Sequence, residues 1–86
     1  MAELGTYEDA DIEILLQLHN MAAVDPDKAV EAKDVAKILM MKIEESTSRL
    51  VDLAKRGYVA FLQDDVGNKR FHLTGLGMIK VASLFS

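Results

Sequence analysis

Four consecutive residues, Ser46-Thr47-Ser48-Arg49, place three hydroxyls and a guanidinium within about one helical turn. Short hydroxyls allow close approach and bond phosphate oxygens or base edges, and arginine reaches guanine O6 and N7 through two parallel bonds. Glu45, just before them, can accept from cytosine N4. Lys42, Lys55 and Arg56 flank the group with positive charge, and a second polar and basic cluster, Asn68-Lys69-Arg70, follows further on. This is the chemistry of polyanion recognition. Each piece also has an ordinary reading. Ser46 and Thr47 are small enough to pack a helix against its neighbours, Arg49 can simply solvate a surface, and Glu45 can cap or solvate. Asn68, Lys69 and Arg70 equally protect an exposed hairpin against edge-to-edge pairing.

Other chemistries find little support. His19 and His72 are the only histidines, and neither has a neighbour at ligand spacing, so a half-buried structural role is expected for both. There is no Gly-rich phosphate loop, nucleophile elbow or paired His–carboxylate motif. Asp64-Asp65 reads as a turn former before a cation site. No catalytic residue, metal ligand or cofactor is therefore expected, and the chain does not read as an enzyme. With no cysteine, thiolate zinc sites and disulfides are excluded, which fits a reducing cytosol. No apolar run reaches the roughly 18 residues of a membrane span, and the first residues do not resemble a signal peptide. A cytoplasmic protein with no membrane partner is expected.

The charges are segregated. Residues 1–34 carry nine acids against Lys28 and Lys33, a net −7, whereas residues 35–86 carry eight bases against five acids, a net +3. Both hydroxyl-rich and basic clusters lie in the positive part. Local field decides where a polyanion docks, although the same distribution also suits two solvated faces.

The elements that must position these residues follow from periodicity. The 86 residues, half of them apolar, suffice for one small domain with its own core. Residues 1–5 read as a loose, flexible tail, and Thr6 with Asp9 resembles a capping box. A first helix is expected from Tyr7 to about Met21, with Ile12, Leu15, Leu16 and His19 along one stripe that Ile14, Leu18, Met21 and Ala22 broaden. Asp25-Pro26 fits a cap and first turn, and Val30 a one- or two-residue strand. A second helix spans about Ala32 to Met40, with Val35, Ala36, Ile38 and Leu39 inward. A third spans about Ile43 to Arg56, with Ile43, Leu50, Leu53 and Ala54 inward, Arg49 outward, and Gly57 as its stop. Two strands, Tyr58 to Gln63 and Lys69 to Leu73, flank the turn at Asp64 to Asn68. The hairpin packs through Phe71 and Leu73. Thr74 can cap a fourth helix, near Gly75 to Leu84. The order is α+β: three helices, a hairpin and a last helix.

That order resembles the winged helix-turn-helix superfamily, and within it the MarR-like archaeal and bacterial transcriptional regulators. Lys33-Asp34-Val35-Ala36-Lys37-Ile38-Leu39 looks like the first helix of the helix-turn-helix. Residues 46–59 look like the recognition helix and the glycine before the wing, and Leu73-Thr74-Gly75-Leu76-Gly77 like the L-T-x-x-G that opens the next helix. The tip of the hairpin departs from the usual aspartate-arginine cluster of such wings. The resemblance covers roughly residues 10–82 and implies a DNA-binding transcriptional regulator. Helix 3, about residues 43–56, would enter the major groove of double-stranded DNA, with wing residues 63–70 on the backbone. The implied DNA contacts are Lys42, Glu45, Ser46, Thr47, Ser48, Arg49, Lys55, Arg56, Asn68, Lys69 and Arg70. Because single modules bury only about 600–1,000 Å² on DNA, a homodimer is expected, through helix 1 and the apolar Leu76, Ile79, Leu84 and Phe85 of helix 4. The alternative is a winged helix that contacts a protein partner without DNA, favoured by the acidic first third and by Glu44-Glu45.

Overall fold

The computed structural model describes residues 2–84, with side chains from residue 10 onward. Helix α1 spans Ala2–Asn20, α2 Ala32–Leu39, α3 Ile43–Lys55 and α4 Gly75–Ser83. The strands are β1, Val30–Glu31, β2, Val59–Gln63, and β3, Lys69–Leu73, and a 3₁₀ turn covers Pro26–Lys28. The sheet is antiparallel in the order β1-β3-β2, with Val30 opposite Phe71 and Val59 opposite Leu73.

Helix α1 starts earlier than the capping pattern predicts. Ala2, Glu3 and Leu4 are good helix formers and a single Gly5 costs only about 1 kcal/mol, so the helix runs through Thr6 instead of beginning there. Its buried stripe is Asp11, Ile14, Leu15 and Leu18, spaced i, i+3, i+4, i+7. Ile14, Leu15 and Leu18 are buried as expected, but the centre of the face is displaced by one position: Ile12 and Leu16 are only half-buried and His19 is exposed. The cause is Asp11, a charged residue at an inward position, which makes the true stripe look polar. In α2 the inward residues are Ala32, Val35, Ala36 and Leu39, again at i, i+3, i+4, i+7, so Ile38 falls off the stripe and is exposed. In α3 the inward residues are Ser46, Leu50 and Leu53, while Ile43 is 55% exposed in the first turn.

The core joins these stripes to one face of the sheet. Ile14, Leu15, Leu18, Val35, Leu50, Leu53, Val59, Phe71, Leu73 and Val81 form one continuous cluster. Phe71 and Leu73 point into it, as the hairpin alternation predicts. The Ala23 carbonyl accepts from the Leu73 N–H at 2.8 Å, tying the end of α1 to β3.

The junctions around α3 fix its angle. Its C-terminus closes with Gly57 at φ +88 and the Tyr58 N–H donating back to the Leu53 carbonyl, a left-handed cap that favours glycine. The Thr74 hydroxyl donates to the Gly57 carbonyl at 2.6 Å and accepts from the Gly77 N–H at 3.0 Å, so one side chain caps α4 and holds it to the end of α3. Gly77 is needed for close approach: a Cβ there would collide with the Tyr58 carbonyl oxygen.

Candidate nucleic-acid interface

Helix α3 is held between α2 and the sheet, with the residues opposite its buried line left outward. Glu44, Ser48 and Lys55 are exposed, and Thr47, Val51 and Asp52 are half-buried beside them. Lys42 is exposed at the N-cap. The hairpin stands beside this face. A cleft of about 300 Å³ between the two is lined by Thr47 and Ile43 from α3, Asn68 and Lys69 from the hairpin, and Lys33 from the first turn of α2. Hydroxyl, amide and lysine side chains from three elements thus line one concave surface, with Glu31 of β1 beside them. Lys33 is not among the contacts expected from the sequence; only the packing of α2 against the hairpin brings it there. Its ammonium lies 3.6 Å from Glu31.

The hairpin tip is organised by Asp64. Its carboxylate accepts from the backbone N–H of Asn68 at 2.9 Å and of Val66 at 3.0 Å. The hydrogen bond from Asn68 is the main influence that holds its acidity below the ordinary carboxylate value, with Val66 and Gly67 adding to it against a desolvation effect of opposite sign. Asn68 and Arg70 are exposed, and Lys69 lies with its ammonium 5.7 Å from the Phe61 ring centroid.

Three of the expected contacts sit elsewhere. Ser46 is fully buried and donates to the Ala32 carbonyl at 2.9 Å, so its role is packing of α3 on α2 and not phosphate contact. Arg49 does not point outward. It reaches along the helix flank toward α1, with Nε 3.1 Å from Glu45 and a terminal nitrogen 3.5 Å from Asp11. Arg56 turns the same way, 2.7 Å from Asp11 and 3.0 Å from Asp52. The guanidinium groups follow the buried carboxylate, which outcompetes water for them. Glu45 is exposed as expected but serves as the partner of Arg49. The expected dimer residues Leu76, Ile79 and Leu84 are exposed on α4, and Phe85 lies outside the described residues. His72, half-buried, has Nδ1 2.9 Å from the Leu73 carbonyl.

The architecture has solved counterparts. A candidate DNA-binding protein from Ralstonia eutropha JMP134 superposes with a TM-score of 0.76 over 91% of this chain and 96% of its own, at 22% identity. The fold is a winged helix-turn-helix. A single-substitution mutant of S. aureus MepR matches this winged helix at a TM-score of 0.73 and 17% identity, over 95% of the chain. The S. aureus MepR–DNA complex matches at 0.68 and 18% identity, over 98% of the chain and 74% of MepR. The winged helix spans only 59% of the MepR mutant chain. No protein-family model matches the sequence, and no curated protein matches it. The α+β class and the winged helix expected from the sequence are found. In this fold α2 and α3 are the helix-turn-helix pair, and β2–β3 is the wing.

Proposed function

We propose that the protein is a DNA-binding transcriptional regulator that lays the outer face of α3 in the major groove and the wing on the adjacent backbone. The observation that carries this reading is the cleft between α3 and the wing. Lys33, Thr47, Asn68 and Lys69 meet there, and Lys42 stands exposed at the start of α3. Phosphate contacts of this kind position a helix, and outward residues then meet base edges. Support also comes from MepR, which shares the fold and was solved in complex with DNA. The test is an anisotropy titration with a generic labelled duplex at two salt concentrations. Binding that weakens steeply with salt, and weakens further in Lys33→Ala and Lys69→Ala, is expected. Absence of salt-sensitive binding overturns the reading.

Two copies acting together fit this role. One module covers only about 600–1,000 Å² of surface on DNA, and α4 leaves Leu76 and Ile79 50% and 67% exposed. We infer a homodimer through α4 and the adjoining face of α1.

A second reading has its own observation. The solvent side of α3 carries Glu44, with Glu45 and Asp52 on the flank toward α1, and the end of α2, the turn and the start of α3 expose Ile38, Met40 and Ile43. That combination suits a protein partner. Loss of such a partner on substituting Ile43, with duplex binding absent, would select it.

A further inference from the structure

The carboxylate of Asp11 sits on the inward face of α1, where an apolar side chain would continue the stripe. Its side chain is 8% exposed, and each oxygen faces a guanidinium from α3 or its C-cap: Oδ2 faces Arg56 at 2.7 Å, and Oδ1 faces Arg49 at 3.5 Å. Glu45 and Asp52 close the cluster from the helix itself, at 3.1 Å from Arg49 and 3.0 Å from Arg56. Arg56 also lies 6.0 Å from the Tyr58 ring centroid. Among the described residues, three carboxylates thus surround two guanidinium groups. A buried carboxylate is a costly way to fill a packing position, and hydrophobic residues of similar volume often do as well or better. What the charge does here, and an apolar residue cannot, is fix where two arginines of the recognition helix lie.

We propose that Asp11 is a positioning residue that holds Arg49 and Arg56 against α1, so that α3 meets DNA without arginine readout. This rests on the DNA-binding reading above. Arg49 is adjacent in sequence to the outward Ser48, and its side chain is long enough to reach the groove if released. Released, it would bring the bidentate guanine contact that dominates many interfaces. Tethered, it leaves Thr47, Ser48 and Val51 as the side chains nearest the base edges. Hydroxyls accept either base type and an apolar side chain suits the thymine methyl, so guanine preference is low.

The test uses the whole chain and the same anisotropy titration, with folding checked by circular dichroism. Arg49→Lys keeps the charge but loses the guanidinium fork. It is expected to bind duplex DNA within about twofold of the unaltered protein, whereas a loss of about tenfold overturns the proposal. Asp11→Asn removes the charge that ties both arginines to α1, while their pairs with Glu45 and Asp52 remain. Binding should become several-fold tighter, with a salt dependence steeper by about one phosphate contact. Glu13, exposed on the same helix, supplies the charge control. If Glu13→Gln tightens binding as much as Asp11→Asn does, the gain is a general charge effect and the proposal fails. Weaker binding by Asp11→Asn, with the fold intact, means that Asp11 aims the arginines at DNA, which also overturns it. If Asp11→Asn does not fold, the Arg49→Lys result decides. If the unaltered protein binds no duplex, the DNA reading falls, and this inference with it.

Discussion

The hydroxyl of Ser46 donates a 2.9 Å hydrogen bond to the carbonyl of Ala32, joining the first turns of α3 and α2 in the dry interior of the helix-turn-helix. Only a small side chain lets the two helices approach there. Ser46→Ala keeps the size and removes the bond. A cost of about 0.5–1.5 kcal/mol is expected, as for a neutral hydrogen bond whose acceptor keeps its helical partner. Urea unfolding checks it, and duplex affinity should stay unchanged. A loss of affinity at full stability would return Ser46 to the set of DNA contacts.

Gly75 and Gly77 stand two residues apart in the first turn of α4 and should respond in opposite ways. A Cβ at Gly77 would collide with the Tyr58 carbonyl oxygen and crowd Leu73, whereas nothing lies within 4 Å of a Cβ at Gly75. Gly77→Ala should destabilise by about 1–3 kcal/mol or more, because backbone must shift. Gly75→Ala should be neutral or stabilise by about 0.4–1 kcal/mol through the unfolded chain. Thermal unfolding of the pair checks both. Equal effects would show that α4 does not sit on the end of α3 as described.

These positions show what a sequence of this kind reveals. The helices and the hairpin announce themselves through period and punctuation: Asp25-Pro26, Gly57 and Thr74 each do locally what their types suggest. Side-chain direction is harder to read wherever a polar residue faces inward. Asp11 is buried because Arg49 and Arg56 come to it from far along the chain, Arg56 from 45 positions away, and no local pattern carries that information. Ser46 is buried for a similar reason, its partner lying 14 positions back. These two inward polar residues take Ser46, Arg49 and Arg56 off the outer face. Lys33 enters the cleft in the opposite way, through packing of α2 beside the wing.

The wing should loosen in acid through Asp64. Its carboxylate is held ionised by N–H donors, chiefly that of Asn68, so its acidity in the fold lies below the ordinary value. A carboxyl with lowered folded pKa adds stability to the turn that is complete above the ordinary value, about pH 4, and is lost as pH falls through the folded value. Asp64 is exposed at the tip of the wing, so the effect is local to the turn. In an NMR titration, the amide signals of Asn68 and Val66 should move together below about pH 4, and Asp64→Asn should remove that step. Amides that stay fixed there would show that these bonds do not form in solution.

Association is testable through α4. Ile79 is 67% exposed and Leu76 50% exposed on that helix, so charge placed there disturbs little of the folded chain. If α4 is the dimer surface, sedimentation at micromolar concentration should give a species of twice the 9.5 kDa chain mass. Ile79→Asp should return it to a single chain with unaltered circular dichroism, since burying an unpaired carboxylate in an apolar interface is strongly unfavourable. Duplex affinity of that variant should fall while its salt slope is roughly halved, because half the phosphate contacts go with the second copy. A single-chain mass for the unaltered protein, together with full DNA affinity, would mean that one winged helix suffices and that the apolar face of α4 serves some other contact.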